Sequence, residues 1–226
     1  MGPEIVCMIP VKDISTRCEW KNLRFFYDRT LPERAITTAI DSQCFDEIYI
    51  YTASGLFNKI ARDLGVEVCV EPEELITATN DVFALDFMYR IECECDYVVQ
   101  INTTAPFLTP QHVDSFVHKL INEKYDTLLS VKQEQIEAIY AGIPLNFQRD
   151  LQMKPSQELD PVLIYTAAIM GWNASTFKAN MERYGAAVHG LFGKTGYWVH
   201  EGLSTIDIDT DEDFKFAEQL AKGLDL

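Results

Sequence analysis

Short apolar segments with the character of β-strands alternate with segments of helical periodicity through residues 5–131. The apolar segments are 5–9, 47–52, 66–70, 97–101 and 127–131, and the helical ones are 31–42, 56–64, 81–91 and a helix opened by Thr109-Pro110. Each helix carries the chain back to the start of the next strand, so repeated units of this kind build a parallel sheet. The alternation predicts the α/β class: a single-domain, three-layer, Rossmann-like fold with a mainly parallel sheet covered on both faces.

The second half of the chain is less regular. Residues 132–205 read as an irregular insertion within one domain that spans 1–226, and 163–171 is an apolar run with strand character. Residues 147–160 are polar and rich in proline. We expect that segment to cover a substrate or to contact another subunit.

Composition excludes several classes of partner. The net charge of −16 argues against nucleic acid, whose phosphates require basic patches. No apolar run is long enough to span a bilayer and no signal peptide is visible, which predicts a cytoplasmic protein without membrane contact. The six cysteines form no C-x-x-C pair, so reduced thiols are expected.

Two aspartates alternate with isoleucines close to the C-terminus. In a strand, Asp207 and Asp209 would share one face and the isoleucines the other. Neighbouring carboxylates repel each other unless a hard divalent cation lies between them, which predicts a metal site. The alternative is an acidic helix N-terminus favoured by the helix dipole, for which Thr210 and Asp213 have capping-box spacing. An EF-hand is disfavoured, because Glu212 stands where the loop needs glycine.

Two loops at the carboxyl ends of predicted strands are candidates for ligand binding, since ligands of open α/β sheets bind there. Residues 10–22 place three cations and two hydroxyl groups within a short loop, as a polyphosphate site requires, although a solvated loop is equally consistent. Residues 102–106 follow the fourth strand with an amide and two hydroxyls. These groups suit the orientation of a polyol or carboxylate, and they are also ordinary turn residues.

Four segments, in this order, resemble the acylneuraminate cytidylyltransferase family, which activates acidic sugars. The first loop of that family, P-A-R-G-G-S-K-x-I-P-x-K-N, corresponds to residues 10–22, where Pro10, Ser15 and the Lys21-Asn22 pair match. The other three matches are the cytosine-reading segment at 78–80, the L-Q-P-T-S-P-L turn at 101–107 and the D-I-D motif at 207–209. The resemblance covers nearly the whole chain and implies a nucleotidyltransferase fold of the nucleotide-diphospho-sugar transferase type.

The resemblance also implies a reaction and assigns residues to it. An acceptor hydroxyl, in this family that of a 2-keto-3-deoxy sugar acid, attacks the α-phosphorus of CTP and pyrophosphate leaves. Lys21, Asp207 and Asp209 would be catalytic, with both aspartates binding Mg²⁺. Nucleotide binding would fall to Lys12, Ser15, Arg17, Lys21, Asn22, Ala78, Thr79 and Asn80, and acceptor binding to Asn102, Thr104 and Gln157. The family is usually dimeric, which implies a homodimer in which the 132–205 insertion reaches the partner's site.

The chain departs from the family where phosphates and sugar acid would bind. Asp13 and Ile14 replace two glycines, Thr16 a lysine, Glu71 and Leu108 two arginines, Asn102 a glutamine, and Ser156-Gln157 an R-Q pair. Three functions therefore stay open: a cytidylyltransferase for a nonulosonic acid, one for a phosphonate or modified octulosonic acid, and a nucleotide-binding homologue without turnover. A glycosyltransferase is disfavoured, because its metal-binding D-x-D motif normally lies in mid-chain.

Overall fold

A computed structural model describes residues 2–91, 94–153 and 155–225. The helices are α1 (Leu31–Ser42), α2 (Asn58–Leu64), α3 (Asn80–Arg90), α4 (Pro110–Asn122), α5 (Ala174–Tyr184) and α6 (Asp211–Leu224). The strands are β1 (Ile5–Pro10), β2 (Phe25–Phe26), β3 (Arg29–Thr30), β4 (Glu47–Thr52), β5 (Glu67–Val70), β6 (Tyr97–Ile101), β7 (Thr127–Glu134), β8 (Ile139–Tyr140), β9 (Ile143–Pro144), β10 (Val162–Asn173) and β11 (Thr195–Val199).

Seven strands form one sheet in the order β11-β7-β10-β6-β1-β4-β5. Every neighbouring pair is parallel except those of β10, which runs antiparallel to both β6 and β7. Helices α1, α2 and α4 pack on one face, and α3 and α5 pack on the other. The predicted three-layer α/β fold with a mainly parallel sheet is confirmed.

Several predicted elements have the bounds that their residue patterns indicate. The helix at 31–42 and the strands at 47–52 and 97–101 match the structure residue for residue. The segment 56–64 differs, because it opens with a 3₁₀ turn at Gly55–Phe57 before α2. Within the described residues, Cys7, Cys18, Cys44 and Cys69 carry free thiols, while Cys93 lies outside them. No described helix combines the length and apolarity needed to cross a bilayer.

The segment that carries Asp207 and Asp209 is extended but is not a strand of the sheet, so that part of the prediction is wrong. It follows a 3₁₀ turn at Gly202–Thr205, and the Ile208 N–H donates to the Thr104 carbonyl of the loop after β6 at 2.9 Å. Its partner is therefore a loop and not another strand. The predicted alternation still holds for Ile208, which is fully buried among residues of α6, while both aspartates reach solvent.

Helix α6 begins with the predicted capping box. The Thr210 side chain accepts from the Asp213 N–H, and the Asp213 carboxylate accepts from the Thr210 N–H at 2.8 Å. Phe214, Ala217 and Ala221 bury the inner face of this helix against Phe26 and Leu31. This packing fixes the start of α6, and with it the 206–209 segment, beside the loop that follows β1.

Candidate active site

A cleft of about 670 Å³ opens at the carboxyl ends of β1, β4, β5 and β6. Nine of the residues predicted to bind ligands line it: Lys12, Ser15, Arg17, Lys21, Asn22, Asn80, Asn102, Thr104 and Asp209. The side chains come from the loop after β1, the start of α3, the loop after β6 and the segment before α6. Parallel strands therefore bring together groups that are far apart in the sequence.

The first loop is tied to the segment before α6 by two contacts. The Arg17 guanidinium donates to both carboxylate oxygens of Asp209, at 2.8 and 2.7 Å. The Lys21 ammonium donates to the Ile208 carbonyl at 2.9 Å. Burial lowers the pKa of Lys21, and the carboxylates of Asp207 and Asp209 act in the opposite direction. Two cations and two carboxylates thus meet at one end of the cleft.

The carboxylates of Asp207 and Asp209 are ligands of the kind that Mg²⁺ takes, and Arg17 donates to both oxygens of Asp209. Asp207 reaches solvent, yet partial burial of its carboxyl group raises its pKa; a hydrogen bond with Thr104 lowers the pKa and nearby Asp209 raises it. Across residues 2–91, 94–153 and 155–225, no group of three His, Cys, Asp or Glu side chains could hold an ion by itself. Mg²⁺ needs no such group, because it binds through one or two carboxylates together with substrate phosphates and waters.

Both ends of the Asn22 side chain form hydrogen bonds within the protein. Asn22 is only 4% exposed, its Nδ2 donates to the Lys12 carbonyl at 2.7 Å, and its Oδ1 accepts from the Thr103 hydroxyl at 2.9 Å. Lys12 is also engaged, since its ammonium donates to the Ile76 carbonyl at 2.5 Å. Lys12 therefore lies toward β5, away from the contacts that Arg17 and Lys21 make.

The loop after β6 forms a second polar group in the cleft. The Asn102 Nδ2 donates to the Ala167 carbonyl at 2.7 Å, which leaves its Oδ1 to accept from Gln100 Nε2, also at 2.7 Å. This arrangement fixes the orientation of the Gln100 amide, and its buried Oε1 has no hydrogen-bond partner among the described residues. Leu108, at a position where the family often has arginine, is buried in the core.

Four of the predicted site residues are not among the described residues that line the cleft. Ala78 and Thr79 lie between Thr77 and Asn80, which do line it, and Asp207 adjoins it through Thr104. Gln157 is exposed on a 3₁₀ turn, Ser156–Glu158, of the 132–205 insertion. The ligand contacts assigned to these residues stay predictions.

The cleft is also lined by Tyr51, Phe83 and Gln100, to which the sequence assigns no site role, and by Glu71, which the sequence shows only as a departure from the family's arginine. A signal was present for two of them. Gln100 interrupts an otherwise apolar strand, and Glu71 directly follows β5 at its carboxyl end. The aromatic residues gave no signal, because a Tyr or Phe at such a position most often belongs to the core.

The chain is similar to known proteins over most of its length. N-acylneuraminate cytidylyltransferase of Escherichia coli O18:K1:H7 is 26% identical over 96% of this chain, which spans only 52% of that protein. CMP-N,N'-diacetyllegionaminic acid synthase of Legionella pneumophila is 24% identical over 96% of this chain and 95% of its own length. A solved structure of CMP:2-keto-3-deoxy-manno-octonic acid synthetase complexed with CTP superposes with a TM-score of 0.74 at 12% identity, covering 99% of this chain and 100% of its own.

The chain thus spans about half the length of the first of these relatives. The solved structure shares the fold with this chain. Residues 6–223, nearly the whole chain, match the family described as Cytidylyltransferase. The resemblance inferred from the four motifs is therefore confirmed, and the chain belongs to the cytidylyltransferase family.

Proposed function

We propose that this chain transfers CMP from CTP to a hydroxyl group of a 2-keto-3-deoxy sugar acid of the nonulosonic type, with release of pyrophosphate. The observation that carries the proposal is the junction of the first loop with the segment before α6, where Arg17 and Lys21 face Asp207 and Asp209. Transfer of a nucleotidyl group depends mainly on positioning and on neutralising phosphate charge, and it needs no covalent nucleophile. The cations and carboxylates at this junction could both position the phosphates and neutralise their charge.

Lys21 and Arg17 would hold the triphosphate. Lys21 is anchored on the Ile208 carbonyl and has further N–H groups to donate to a phosphate oxygen. Arg17 pairs with Asp209 at an exposed position, and such pairs contribute little to stability, so its guanidinium can turn to a phosphate at small cost. The Ser15 hydroxyl accepts from the Cys18 N–H at 3.3 Å and keeps its own proton for donation.

Asp207 and Asp209 are the residues that would bind Mg²⁺. The ion would neutralise phosphate charge and lower the pKa of the attacking hydroxyl when bound. Thr104 orients Asp207 through a hydrogen bond, and its backbone carbonyl holds the Ile208 N–H. The acceptor would therefore enter beside Thr104 and Asn102, next to the metal end of the cleft, with Gln157 contributed by the insertion.

The names of the similar proteins favour acidic sugars as acceptors. They include a sialic acid, a diacetyllegionaminic acid and a 2-keto-3-deoxy-octonic acid. An octulosonic acid is therefore the second candidate acceptor. We also propose a homodimer that assembles through the 132–205 insertion, because that region exposes several large apolar side chains. The cytoplasmic location stays a prediction.

Pyrophosphate release tests the proposed reaction directly. The purified chain is incubated with Mg²⁺, each of the four ribonucleoside triphosphates, and a panel of nonulosonic acids, octulosonic acids and phosphonates. We expect release with CTP and one class of acceptor. If no combination releases pyrophosphate while CTP still raises the melting temperature, a nucleotide-binding homologue without turnover is favoured instead.

Asp209→Asn tests the metal assignment, with Asp63→Asn as its control. Asp63 is a surface aspartate of α2 paired with Lys59, so its loss should leave turnover unchanged. Asp209→Asn should reduce turnover at least about 100-fold, since even partners one shell removed from a metal typically cost 10–100-fold. Full turnover by Asp209→Asn would show that this carboxylate does not bind the catalytic metal.

A further inference from the structure

Glu71 is a buried residue whose carboxyl group has no direct partner among the described residues. It follows β5 directly, its N–H donates to the Thr52 carbonyl at 2.9 Å, and its side chain lines the cleft although the residue is only 4% exposed. Burial raises the pKa of this carboxyl group. Such a group costs free energy unless a hydrogen-bond partner compensates for the lost water.

The described residues supply no direct partner for this carboxyl group. Among the described residues, no hydrogen-bond donor and no cation pairs directly with its oxygens. Lys12 acts on Glu71 only at longer range, because its ammonium is held by the Ile76 carbonyl. The Asp86 carboxylate raises the pKa of Glu71 further. Its oxygens do not belong to the fully buried polar atoms without a partner, so they reach the water of the cleft, and a ligand that binds there can replace that water.

The strand order indicates which part of a ligand reaches Glu71. Strand β5 lies two strands from β1, or about 10 Å, and β6 lies on the opposite side of β1. The phosphate-binding cations follow β1, and the proposed acceptor site follows β6. A carboxylate repels phosphate and sugar acid alike, so the uncharged nucleoside is the part that fits at β5.

The surroundings of Glu71 suit a planar heterocycle. Tyr51, Ile76 and Phe83 also line this end of the cleft and provide apolar surface. The rings of Tyr51 and Phe83 stack on each other with centroids 5.8 Å apart. Apolar walls with one polar group at the edge are typical of a site that recognises a base by its hydrogen-bonding edge.

We propose that Glu71 selects cytosine by accepting a hydrogen bond from its exocyclic 4-amino group. As a carboxylate Glu71 has acceptors only, and acidic side chains commonly accept from this amino group. Uracil places a carbonyl oxygen at the same position and would face two acceptors toward each other. The inference rests on the proposed function, because it requires a nucleotide in this cleft.

Calorimetric titration with nucleotides tests the role of Glu71. The ligands are CTP, UTP and the triphosphate of pyrimidin-2-one riboside, which is cytidine without its 4-amino group. The wild-type protein should bind CTP about 10–100-fold more tightly than the pyrimidinone analogue, the range expected for one hydrogen bond to a charged group. Glu71→Met, which keeps the volume but removes the acceptor, should abolish this difference by weakening CTP alone.

Two further variants control for charge and for conservative replacement. Glu71→Gln retains an acceptor oxygen and should keep part of the preference for CTP. Glu73→Gln changes an exposed neighbouring residue and should behave as wild type. Each variant is first shown to melt cooperatively.

The outcomes separate this inference from the proposed function. An undiminished preference for CTP in Glu71→Met would overturn the inference, as would equal weakening of CTP and the pyrimidinone analogue. In either case CTP-dependent pyrophosphate release by the wild-type protein would still support the proposed function. The expected binding pattern without any release would support Glu71 as the base reader and contradict the proposed reaction. Failure of every nucleotide to bind would overturn both.

Discussion

Asn22 joins two loops that the sequence places far apart. Its amide donates to the backbone of the first loop at Lys12 and accepts from Thr103 after β6. The family resemblance assigns Asn22 to the nucleoside, whereas the structure uses both ends of its side chain internally. These two roles have different consequences when the residue is replaced.

Asn22→Ala should lower the free energy of unfolding by roughly 1–3 kcal/mol, because it leaves a buried acceptor and a buried hydroxyl without partners. Urea denaturation measures this change, and Asn122→Ala, at an exposed position at the end of α4, serves as the control. The double variant Asn22→Ala/Thr103→Val should destabilise by less than the sum of the single changes, since both remove the same contact. Unchanged stability with lost CTP affinity would instead support direct contact with the nucleoside.

A chain of hydrogen bonds through His200 connects β10, the end of β11 and the 3₁₀ turn at Gly202–Thr205. The His200 Nε2 meets the Thr166 hydroxyl at 2.8 Å in the bulge of β10, and its Nδ1 meets the Ser204 hydroxyl at 2.9 Å. Ser204 donates to the Glu201 carbonyl, so Nδ1 donates to Ser204. The lowered pKa of His200 favours a neutral ring, whose Nε2 then accepts from the Thr166 hydroxyl, although that hydroxyl also lies 3.1 Å from the Ser130 carbonyl. Only a neutral imidazole can make both contacts in this way. The bulge supplies the Ala167 carbonyl that holds Asn102.

Sequence patterns predict the elements of this region unevenly. The run at 163–171 indicates a strand, but its antiparallel placement between β6 and β7 depends on pairing that no local pattern encodes. The local patterns do not predict helix α5 and strand β11, both of which lie inside the 132–205 insertion. Contacts such as Asn22 with Thr103 could not be predicted either, because they join residues 81 positions apart.

Acid should destabilise the protein through His200. Burial, with a smaller effect of His112, lowers its pKa from 6.5 to about 4. Between these values the unfolded chain binds a proton that the folded protein does not, so stability falls as the pH falls. Protonation of this group alone would lower the free energy of unfolding by roughly 3 kcal/mol over this range, at up to about 1.4 kcal/mol per pH unit. Urea unfolding at several pH values measures this effect: the free energy of unfolding of His200→Asn should fall less steeply with falling pH than that of the wild-type protein.

His118→Asn is the matched control for that measurement. His118 lies on the exposed side of α4, where solvent screens its pair with Asp114, so its replacement should change the pH dependence of stability far less than His200→Asn does. If His200→Asn and wild type lose stability in parallel between pH 6.5 and about 4, the His200 imidazole is not held neutral by the fold.

Charge and apolar surface oppose each other over the whole molecule. A net charge of −16 makes two copies repel, whereas the segment 136–145, around the β8–β9 hairpin, exposes five large apolar side chains. These are Ile136, Ile139, Tyr140, Ile143 and Leu145. Clustered apolar exposure of this kind marks interaction surfaces. Association of two copies through this segment would bury it.

The proposed homodimer should therefore tighten with salt and weaken when this surface is made polar. Raising the ionic strength from about 0.01 M to about 0.15 M shortens the Debye length from about 30 Å to about 8 Å and screens the repulsion. Sedimentation equilibrium should show a lower dissociation constant at the higher salt. Ile139→Ser/Ile143→Ser should shift the protein toward monomer, whereas Leu56→Ser/Phe216→Ser, two residues each 57% exposed elsewhere, should not. Two outcomes would contradict a homodimer interface at the 136–145 segment. Equal dissociation of both double variants would mean that this particular apolar surface is not required. A monomer under all conditions would mean that two copies do not associate.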